Sequence, residues 1–202
     1  MERTMEDRER ILRNLQSTMI EGDTSYPQYS HYHDETQNPD ESFKSVLDDV
    51  GGECFFVKSY TELKDRLVTF DIYKSANNIC SCLNELDIGS VDINSVEKIH
   101  DLRNVDLGIM RGEFGVGENA AVWVNADSFK HRGVLFLSEN IILIVDSGKI
   151  VSDMDSAYEL IDFQKLKSGY FVSGPSKTAD IEQCLVIGAH AAKSLIVFVI
   201  RP

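Results

Sequence analysis

Residues 173–182 read Ser-Gly-Pro-Ser-Lys-Thr-Ala-Asp-Ile-Glu, and this stretch decides the fold that we expect. The short apolar run Tyr170–Val172 precedes it and is typical of a strand. The residues that follow are spaced as on one face of a helix, namely Ile181, Cys184, Leu185 and Gly188. The pattern therefore predicts a strand, a turn of small residues and the start of a helix.

A turn of this kind directs backbone N–H groups and the positive end of a helix dipole at an anion. Ser176 or Thr178 is a candidate N-cap, and Lys177 adds a cation beside the same position. Many strand-to-helix turns of similar composition bind nothing. The sequence therefore leaves two interpretations open, an anion-binding turn and a purely structural one.

The same residues, followed by Leu-Val-Ile-Gly-Ala-His at 185–190, resemble the signature of the lactate-utilisation protein C family, also called the LUD domain family. Members of that family usually continue with Gly-Pro-Arg after the histidine, whereas this chain has Ala-Ala-Lys at 191–193. The resemblance implies the fold of the superfamily of ribose-5-phosphate isomerase, glucosamine-6-phosphate deaminase and the CoA transferases. We therefore expect an α/β fold, a parallel-rich sheet flanked by helices with an antiparallel hairpin insert.

Length, charge and cysteine content restrict the classes of function. The chain has 202 residues, enough for one substantial core, and a formal net charge of −13. This acidity argues against nucleic acid and anionic membrane surfaces as partners. No apolar run approaches the roughly 20 residues that span a bilayer, and Met1–Thr4 leads into a charged segment instead of an apolar signal region. We therefore expect a cytoplasmic protein.

The N-terminal segment differs in character from the rest of the chain. Residues from about Met5 to Met19 have the spacing of a helix with an apolar stripe at Ile11, Leu12, Leu15 and Met19. The polar segment from Gly22 to Asn38 indicates a linker or arm. We divide the chain into a helix and arm over 1–38 and an α/β domain over 39–202. The stripe is a candidate contact with a second copy or a partner protein, or it packs back on its own domain.

Alternating helix and strand patterns fill the second segment. Asn38 and Pro39 start a helix that Gly51–Gly52 ends, and Ser59 caps another. The expected strands are Cys54–Val57, Asn78–Leu83, Ile141–Val145 and Leu195–Ile200, with a helix that opens at Asp153 and carries Tyr158 inward. A strand, helix, strand order predicts parallel pairing. The glycine-rich region from Asp106 to Val124 predicts short strands joined by tight turns.

The cysteines and histidines predict no metal site and no cofactor. Cys80 and Cys82 share one face of a strand, but further ligands are not evident, so we interpret them as buried small side chains. His31 and His33 form an H-x-H pair without supporting carboxylates or cysteines. The cysteine spacing does not match that of an iron–sulfur cluster site.

Glu118 is the candidate catalytic residue. The family segment usually reads Ala-Glu-Thr-Gly-Thr, and this chain reads Gly-Glu-Asn-Ala-Ala at 117–121, so the glutamate matches and the hydroxyl groups do not. Glu118 and Asn119 also resemble the nucleophile segment of CoA transferases, in which a glutamate attacks the acyl group. Two interpretations stay open, a site carboxylate and an exposed turn residue.

The candidate ligand-binding residues lie next to Glu118 and along the signature. They are Asn119, Ser173, Gly174, Ser176, Lys177, Thr178, Asp180, Glu182 and His190. We expect His190 at the far end of the predicted helix, as a C-terminal cap or a proton-transfer group.

The resemblance implies a cofactor-free component of an L-lactate oxidation system that acts with iron–sulfur partner proteins and binds a small anionic ligand. Two alternatives remain. One is a stand-alone enzyme that uses Glu118 on a sugar phosphate or an acyl-CoA. The other is a structural or regulatory subunit, which associates through the N-terminal stripe.

Overall fold

The computed structural model of the protein describes residues 2–18, 38–181 and 184–201. The chain forms two compact units, Met1–Tyr32 and His33–Pro202. The predictions for the polar arm after Gly22, for the pair His31 and His33, and for Glu182 lie outside the described residues. The domain boundary at residue 38 stays a prediction.

The first unit contains helix α1 (Glu2–Ser17), which confirms the helix expected there. The predicted stripe is present on it, with Ile11 55% exposed, Leu12 42% and Leu15 58%. Met19 lies outside the described residues. What the stripe contacts stays a prediction.

The second unit alternates helices and strands. Its helices are α2 (Pro39–Asp49), α3 (Tyr60–Leu67), α4 (Asp71–Ser75), α5 (Val134–Leu137) and α6 (Met154–Glu159). Its strands are β1 (Glu53–Val57), β2 (Ile79–Ser81), β3 (Leu107–Arg111), β4 (Phe114–Val116), β5 (Val122–Asn125), β6 (Asn140–Asp146), β7 (Ile150–Val151), β8 (Gly169–Val172), β9 (Lys177–Ile181), β10 (Cys184–Ile187) and β11 (Ser194–Ile200). Short 3-10 helices cover Asn84–Leu86, Ile99–Asn104, Ala126–Ser128 and Ser147–Lys149.

A five-stranded parallel sheet forms the centre of this unit, in the order β1-β11-β6-β3-β2. The sheet and its flanking helices confirm the α/β class. β1 and β2 are parallel members of one sheet but do not pair with each other, so direct pairing is the wrong inference from their order. They lie at opposite edges because the apolar strands β11, β6 and β3 occupy the centre, where both faces are buried.

Helices cover one face of this sheet, and helix α2 with a second sheet covers the other. Leu63 and Leu67 of α3 pack on the first face. Phe43 and Leu47 of α2 pack on the second, together with residues of β5. Asn38 caps α2 through its side chain, and Gly51 follows the helix at φ +83°, as predicted.

The glycine-rich region divides between the two sheets. The second sheet has the order β7-β4-β5-β8, and β4 and β5 form the expected antiparallel hairpin. The sequence pattern places Leu107–Arg111 in the same hairpin region, but this segment is central strand β3. Its residues from Leu107 to Met110 are all buried, because both faces of the parallel sheet are covered at this strand.

The helix predicted after residue 176 is wrong. β9 and β10 form an antiparallel pair instead, with Thr178 opposite Val186 and Lys177 opposite Ile187. Ile181, Cys184, Leu185 and Gly188 fit a helical face, but Thr178, Ile181, Val186 and Ile187 are β-branched, and such residues favour strands when a partner strand is available. Ser176 and Thr178 are therefore not N-caps, because the turn leads into a strand and does not start a helix.

The apolar run Val134–Leu137, for which the sequence pattern alone fixes no element, forms one turn of helix α5. One smaller prediction needs correction. Helix α6 opens at Asp153 as expected and buries its residue Ala157, but Tyr158, which was expected to face inward, is 51% exposed. Its ring instead stacks with Phe163, at a centroid distance of 6.1 Å.

Candidate functional site

The signature residues Ser173–Ser176 form the turn between β8 and β9. Gly174 has φ +69°, a backbone conformation that favours glycine. A Cβ at this position would lie 2.9 Å from the carbonyl oxygen of Val50, at the end of α2. Pro175 is buried, and its ring approaches Gly51. The turn is therefore fixed by close packing on the end of that helix.

The structure brings this turn next to Asn119. The Ser173 hydroxyl donates a hydrogen bond of 2.7 Å to the carbonyl oxygen of Asn119, which is 54 residues away in sequence. The Asn119 side-chain oxygen accepts from the backbone N–H of Ala121 at 3.0 Å. Between them, Ala120 is buried at φ +52°. Two segments that the sequence suggested separately therefore form one connected pair of turns.

Glu118 makes a structural contact in the second of these turns. Its Oε2 accepts a hydrogen bond of 2.9 Å from the backbone N–H of Met154, at the start of α6. Its own backbone N–H donates to the carbonyl oxygen of Ser152 at 2.9 Å. The residue is exposed. This geometry favours the interpretation of Glu118 as a turn residue that satisfies a helix N-terminus.

The remaining signature residues are held by backbone bonds. Ser176 donates through its N–H to Ala192 and accepts at its carbonyl oxygen from Gly188, both at 2.9 Å. Lys177 Nζ lies 3.9 Å from the position that a Cβ on Gly51 would take, next to the C-terminal end of α2. A cation there interacts favourably with the helix dipole.

Thr178 lies in β9 opposite Val186. Asp180 belongs to the same strand. The side chain of Asp180 and all of Glu182 lie outside the described residues, so their roles stay predictions.

A cavity of about 450 Å³ adjoins the signature turn, at the end of the sheet where β6 and β11 begin. Ser173, Gly174, Pro175, Ser176 and Lys177 line one side. The other walls are largely apolar and aromatic, formed by Leu135, Phe136, Ile141, Tyr170, Phe171, Val172, Ala191, Ala192 and Leu195. Such a site binds a ligand mainly by apolar contact, with a few polar groups that orient it.

A second cavity of about 240 Å³ contains His190. It shares Phe136 and Ala191 with the first cavity, so the two adjoin. Its further lining residues are Arg103, Leu137, Ser138, Glu139, Gly188 and Lys193. His190 is exposed and belongs to an irregular segment, so its predicted place at the end of a helix is wrong.

The charge around these cavities differs from that of the whole chain. The formal net charge is −13, yet the charged lining residues are Arg103, Lys177 and Lys193 against Glu139. Lys193 pairs with Glu139 at 2.6 Å. We call the two adjoining cavities together the cleft. A cleft that is locally basic in an acidic protein attracts anions.

The sequence reasoning missed Arg103, Phe136 and Tyr170 as lining residues. Phe136 is 41% exposed although it lies in an apolar run, and its ring meets that of Tyr170 edge to face at 4.9 Å. Arg103 and His190 line the same cavity only in the folded chain, so no local sequence signal identifies Arg103 as a lining residue. The sequence shows the apolar run around Phe136, but it does not show that the ring is partly exposed.

A polar cluster occupies the opposite end of the main sheet, where ligands of open α/β sheets commonly bind. Arg111 donates to the Tyr60 hydroxyl at 2.9 Å and to Asp146 at 2.8 Å. Arg111 and Asp146 are the last residues of β3 and β6, a signal that the sequence did carry. The carboxylate compensates the guanidinium, so the cluster is adequately explained as a cross-strand ion pair.

Burial and a mutual hydrogen bond shift the pKa values of three thiol groups, those of Cys54, Cys80 and Cys82. Burial raises the pKa of the Cys54 thiol to about 12. A hydrogen bond from Cys82 lowers the pKa of Cys80, and the same bond together with burial raises that of Cys82. Within the described ranges, no group of three or more histidine, cysteine or acidic residues is arranged to hold a metal ion. No helix in those ranges is both long and apolar enough to cross a membrane.

Comparisons with known proteins place the chain in a family. The model of the LUD domain family matches residues 61–200. Lactate utilization protein C 1 of Bacillus mycoides is 39% identical over 101 residues, which cover 46% of this chain and 43% of that protein. Lactate utilization protein C of Bacillus licheniformis is 33% identical over 101 residues, covering 46% and 42%. The chain thus matches less than half the length of these curated relatives.

A solved structure supports the same fold. The crystal structure of a DUF162 family protein from Deinococcus radiodurans superposes with a TM-score of 0.60 at 12% identity, covering 80% of this chain and 95% of that one. The likeness concerns the fold alone. Because the family model spans most of the second unit, including both turns and both cavities, the chain belongs to the LUD domain family.

Proposed function

We propose that this chain is a cofactor-free component of a cytoplasmic system that uses L-lactate. The observation that carries the proposal is the 39% identity, over 101 residues, to a protein named lactate utilization protein C 1. The matched family region contains the signature turn and the cleft beside it. The contribution of the chain to that system would therefore come from this part of the fold.

Electron transfer in such a system would fall to iron–sulfur partner proteins. Cys54 is 2% exposed and Cys80 is fully buried, and both pack within one hydrophobic core cluster. These thiols suit packing better than cluster ligation, which supports a division of labour between this chain and its partners.

Growth on lactate tests the proposal. Deleting the gene in its natural host should abolish or strongly slow growth on L-lactate as sole carbon source and leave growth on glucose unchanged. Reintroducing the wild-type gene should restore growth. Unchanged growth on lactate in a deletion strain that keeps the partner genes would contradict the proposal.

Ligand binding at the cleft has its own test. A ligand that binds only the folded state raises the melting temperature according to its concentration and Kd. We expect at least one organic anion from a panel of L-lactate, pyruvate, sugar phosphates and CoA esters to raise the Tm. A shift that persists unchanged when Ser173–Lys177 is altered would place binding elsewhere.

A role as an association subunit is the second candidate, and the exposed stripe of α1 favours it. Ile11, Leu12 and Leu15 present a row of exposed apolar side chains on one helical face. Such faces commonly bind another helix or groove. The partner would be a second copy of this chain or one of the iron–sulfur proteins.

A further inference from the structure

The two adjoining cavities are larger than a ligand such as lactate requires. The larger one, about 450 Å³, falls within the range of about 300–1,000 Å³ that is typical of sites for drug-sized ligands. Most of its wall is apolar, from Leu135 and Ile141 to Leu195. A small hydroxy acid would leave most of that wall uncovered, and its burial would contribute little to affinity.

The wall of the larger cavity is suited to a flat apolar group. Phe136 and Tyr170 meet edge to face, with ring centroids 4.9 Å apart and an interplanar angle of 85°. Aromatic rings favour offset-stacked and edge-to-face contacts with a further ring. Phe136 is 41% exposed and lines both cavities. A bound aromatic group would cover it.

Arg103 supplies the counter-charge. Its guanidinium is always protonated and matches the geometry of carboxylate, phosphate and sulfonate groups. Lys193, in the same cavity, is already paired with Glu139 at 2.6 Å. Across residues 2–18, 38–181 and 184–201, Arg103 takes part in no ion pair. Its charge is therefore available to a ligand that reaches the smaller cavity.

We propose that the two cavities together bind one organic anion that carries an aromatic body. The body lies in the larger cavity against Phe136 and Tyr170, and the acidic group lies in the smaller cavity at Arg103. This inference rests on the proposed ligand-binding role of the cleft and names the class of ligand. It assigns the cleft to a molecule larger than lactate, which leaves lactate itself to another site or another subunit.

Anilinonaphthalene sulfonate (ANS) is a suitable probe because it combines an aromatic body with a sulfonate. The neutral N-phenylnaphthylamine has a similar ring system without the charge and serves as its matched control. Trp123 is the single tryptophan of the chain, and its ring lies 4.7 Å from that of Phe171, which lines the larger cavity. Energy transfer from Trp123 reports that ANS is bound to the folded protein, and the variants below locate the bound probe.

We expect ANS to bind the folded wild-type protein at one saturable site with energy transfer from Trp123. Arg103→Gln should weaken ANS binding roughly tenfold, as expected for loss of a charge-assisted contact, and leave the neutral probe within about twofold. Phe136→Ala should weaken both probes. Lys165→Gln removes one exposed positive charge and Phe163→Ala removes one exposed aromatic ring. Neither residue lines the two cavities, so neither variant should alter binding of either probe.

Three results would overturn the inference. They are the absence of saturable ANS binding, equal effects of Arg103→Gln and Lys165→Gln, and binding of the probes that is insensitive to Phe136→Ala. Circular dichroism of each variant separates a lost site from a lost fold. The assay is independent of lactate, so a negative result together with lost growth of the deletion strain would reject the ligand class and retain the proposed function.

Discussion

The carboxylate of Glu118 interacts with one backbone group, the N–H of Met154, at 2.9 Å. Glutamine keeps an oxygen that can accept this bond and alanine does not. We expect Glu118→Gln to change the free energy of unfolding by less than about 0.5 kcal/mol and Glu118→Ala to lower it by about 1 kcal/mol. Urea denaturation of both variants measures the difference.

The same pair of variants separates a structural from a chemical role. If the folded Glu118→Gln protein failed to support growth on L-lactate, the negative charge itself would be required. A site carboxylate, and with it the stand-alone enzyme, would then regain support. Because the observed contact of Glu118 is structural, we expect Glu118→Gln to behave as wild type in that growth assay.

Gly174 shows how closely the signature turn is packed. Alanine there would be strained at φ +69° and would place its Cβ 2.9 Å from the Val50 oxygen. We expect Gly174→Ala to destabilise the protein by about 1–3 kcal/mol. Gly148→Ala is the matched control, because no atom lies within 4 Å of its added Cβ. Equal melting temperatures for the two variants would show that the turn can move away from α2.

The raised pKa of the Cys54 thiol predicts that stability depends on pH. Its folded pKa of about 12 lies above the ordinary value of 9.0 because burial disfavours the thiolate. The folded state thus holds the thiol proton more tightly than the unfolded state does. The stabilisation that the protonated Cys54 contributes is therefore complete below pH 9 and is lost as pH rises toward 12. Wild type should lose more stability than Cys54→Ala between pH 8 and pH 10.5, as measured by urea unfolding. Parallel losses would show that the thiol ionises normally.

At the scale of elements, helix α1 carries the clearest prediction. Leu15→Glu places a charge in the middle of the exposed stripe. We expect it to abolish association with a second copy or a partner, measured by analytical ultracentrifugation, and to leave the unfolding of the second unit unchanged. Arg13→Glu, on the opposite helical face, adds negative charge without touching the stripe and should associate as wild type. Indistinguishable sedimentation of Leu15→Glu and wild type would exclude the stripe as the contact.

The β9–β10 pair shows where local pattern stops being informative. Ile181, Cys184, Leu185 and Gly188 fit a helical face, but Thr178 and Val186 also fit alternation across a hairpin. Only the pairing partner decides between the two, and a single stretch of sequence does not contain that information. By contrast, the Asn38–Pro39 start of α2 depends on local cap chemistry and was predicted correctly.

At the scale of the whole molecule, the parallel sheet was predictable and the cleft was not. The five-residue apolar and β-branched run Ile141–Val145 indicates a strand that is buried on both faces. The cleft assembles residues from distant parts of the chain, among them Arg103, Phe136 and His190. Each is an ordinary loop or helix residue in isolation. The signature turn was recognised by resemblance, and the reason for its position became clear only from its contacts with Val50 and Asn119.

One growth measurement tests the central claim, that the cleft is what this chain contributes to lactate utilisation. The deletion strain is complemented with wild type, with the cleft double variant Arg103→Gln/Phe136→Ala, or with the control double variant Lys165→Gln/Phe163→Ala. Equal protein levels are checked by immunoblot. We predict that wild type and the control restore growth on L-lactate and the cleft variant does not, while all three grow equally on glucose. Full restoration of growth on L-lactate by the cleft variant would contradict the claim.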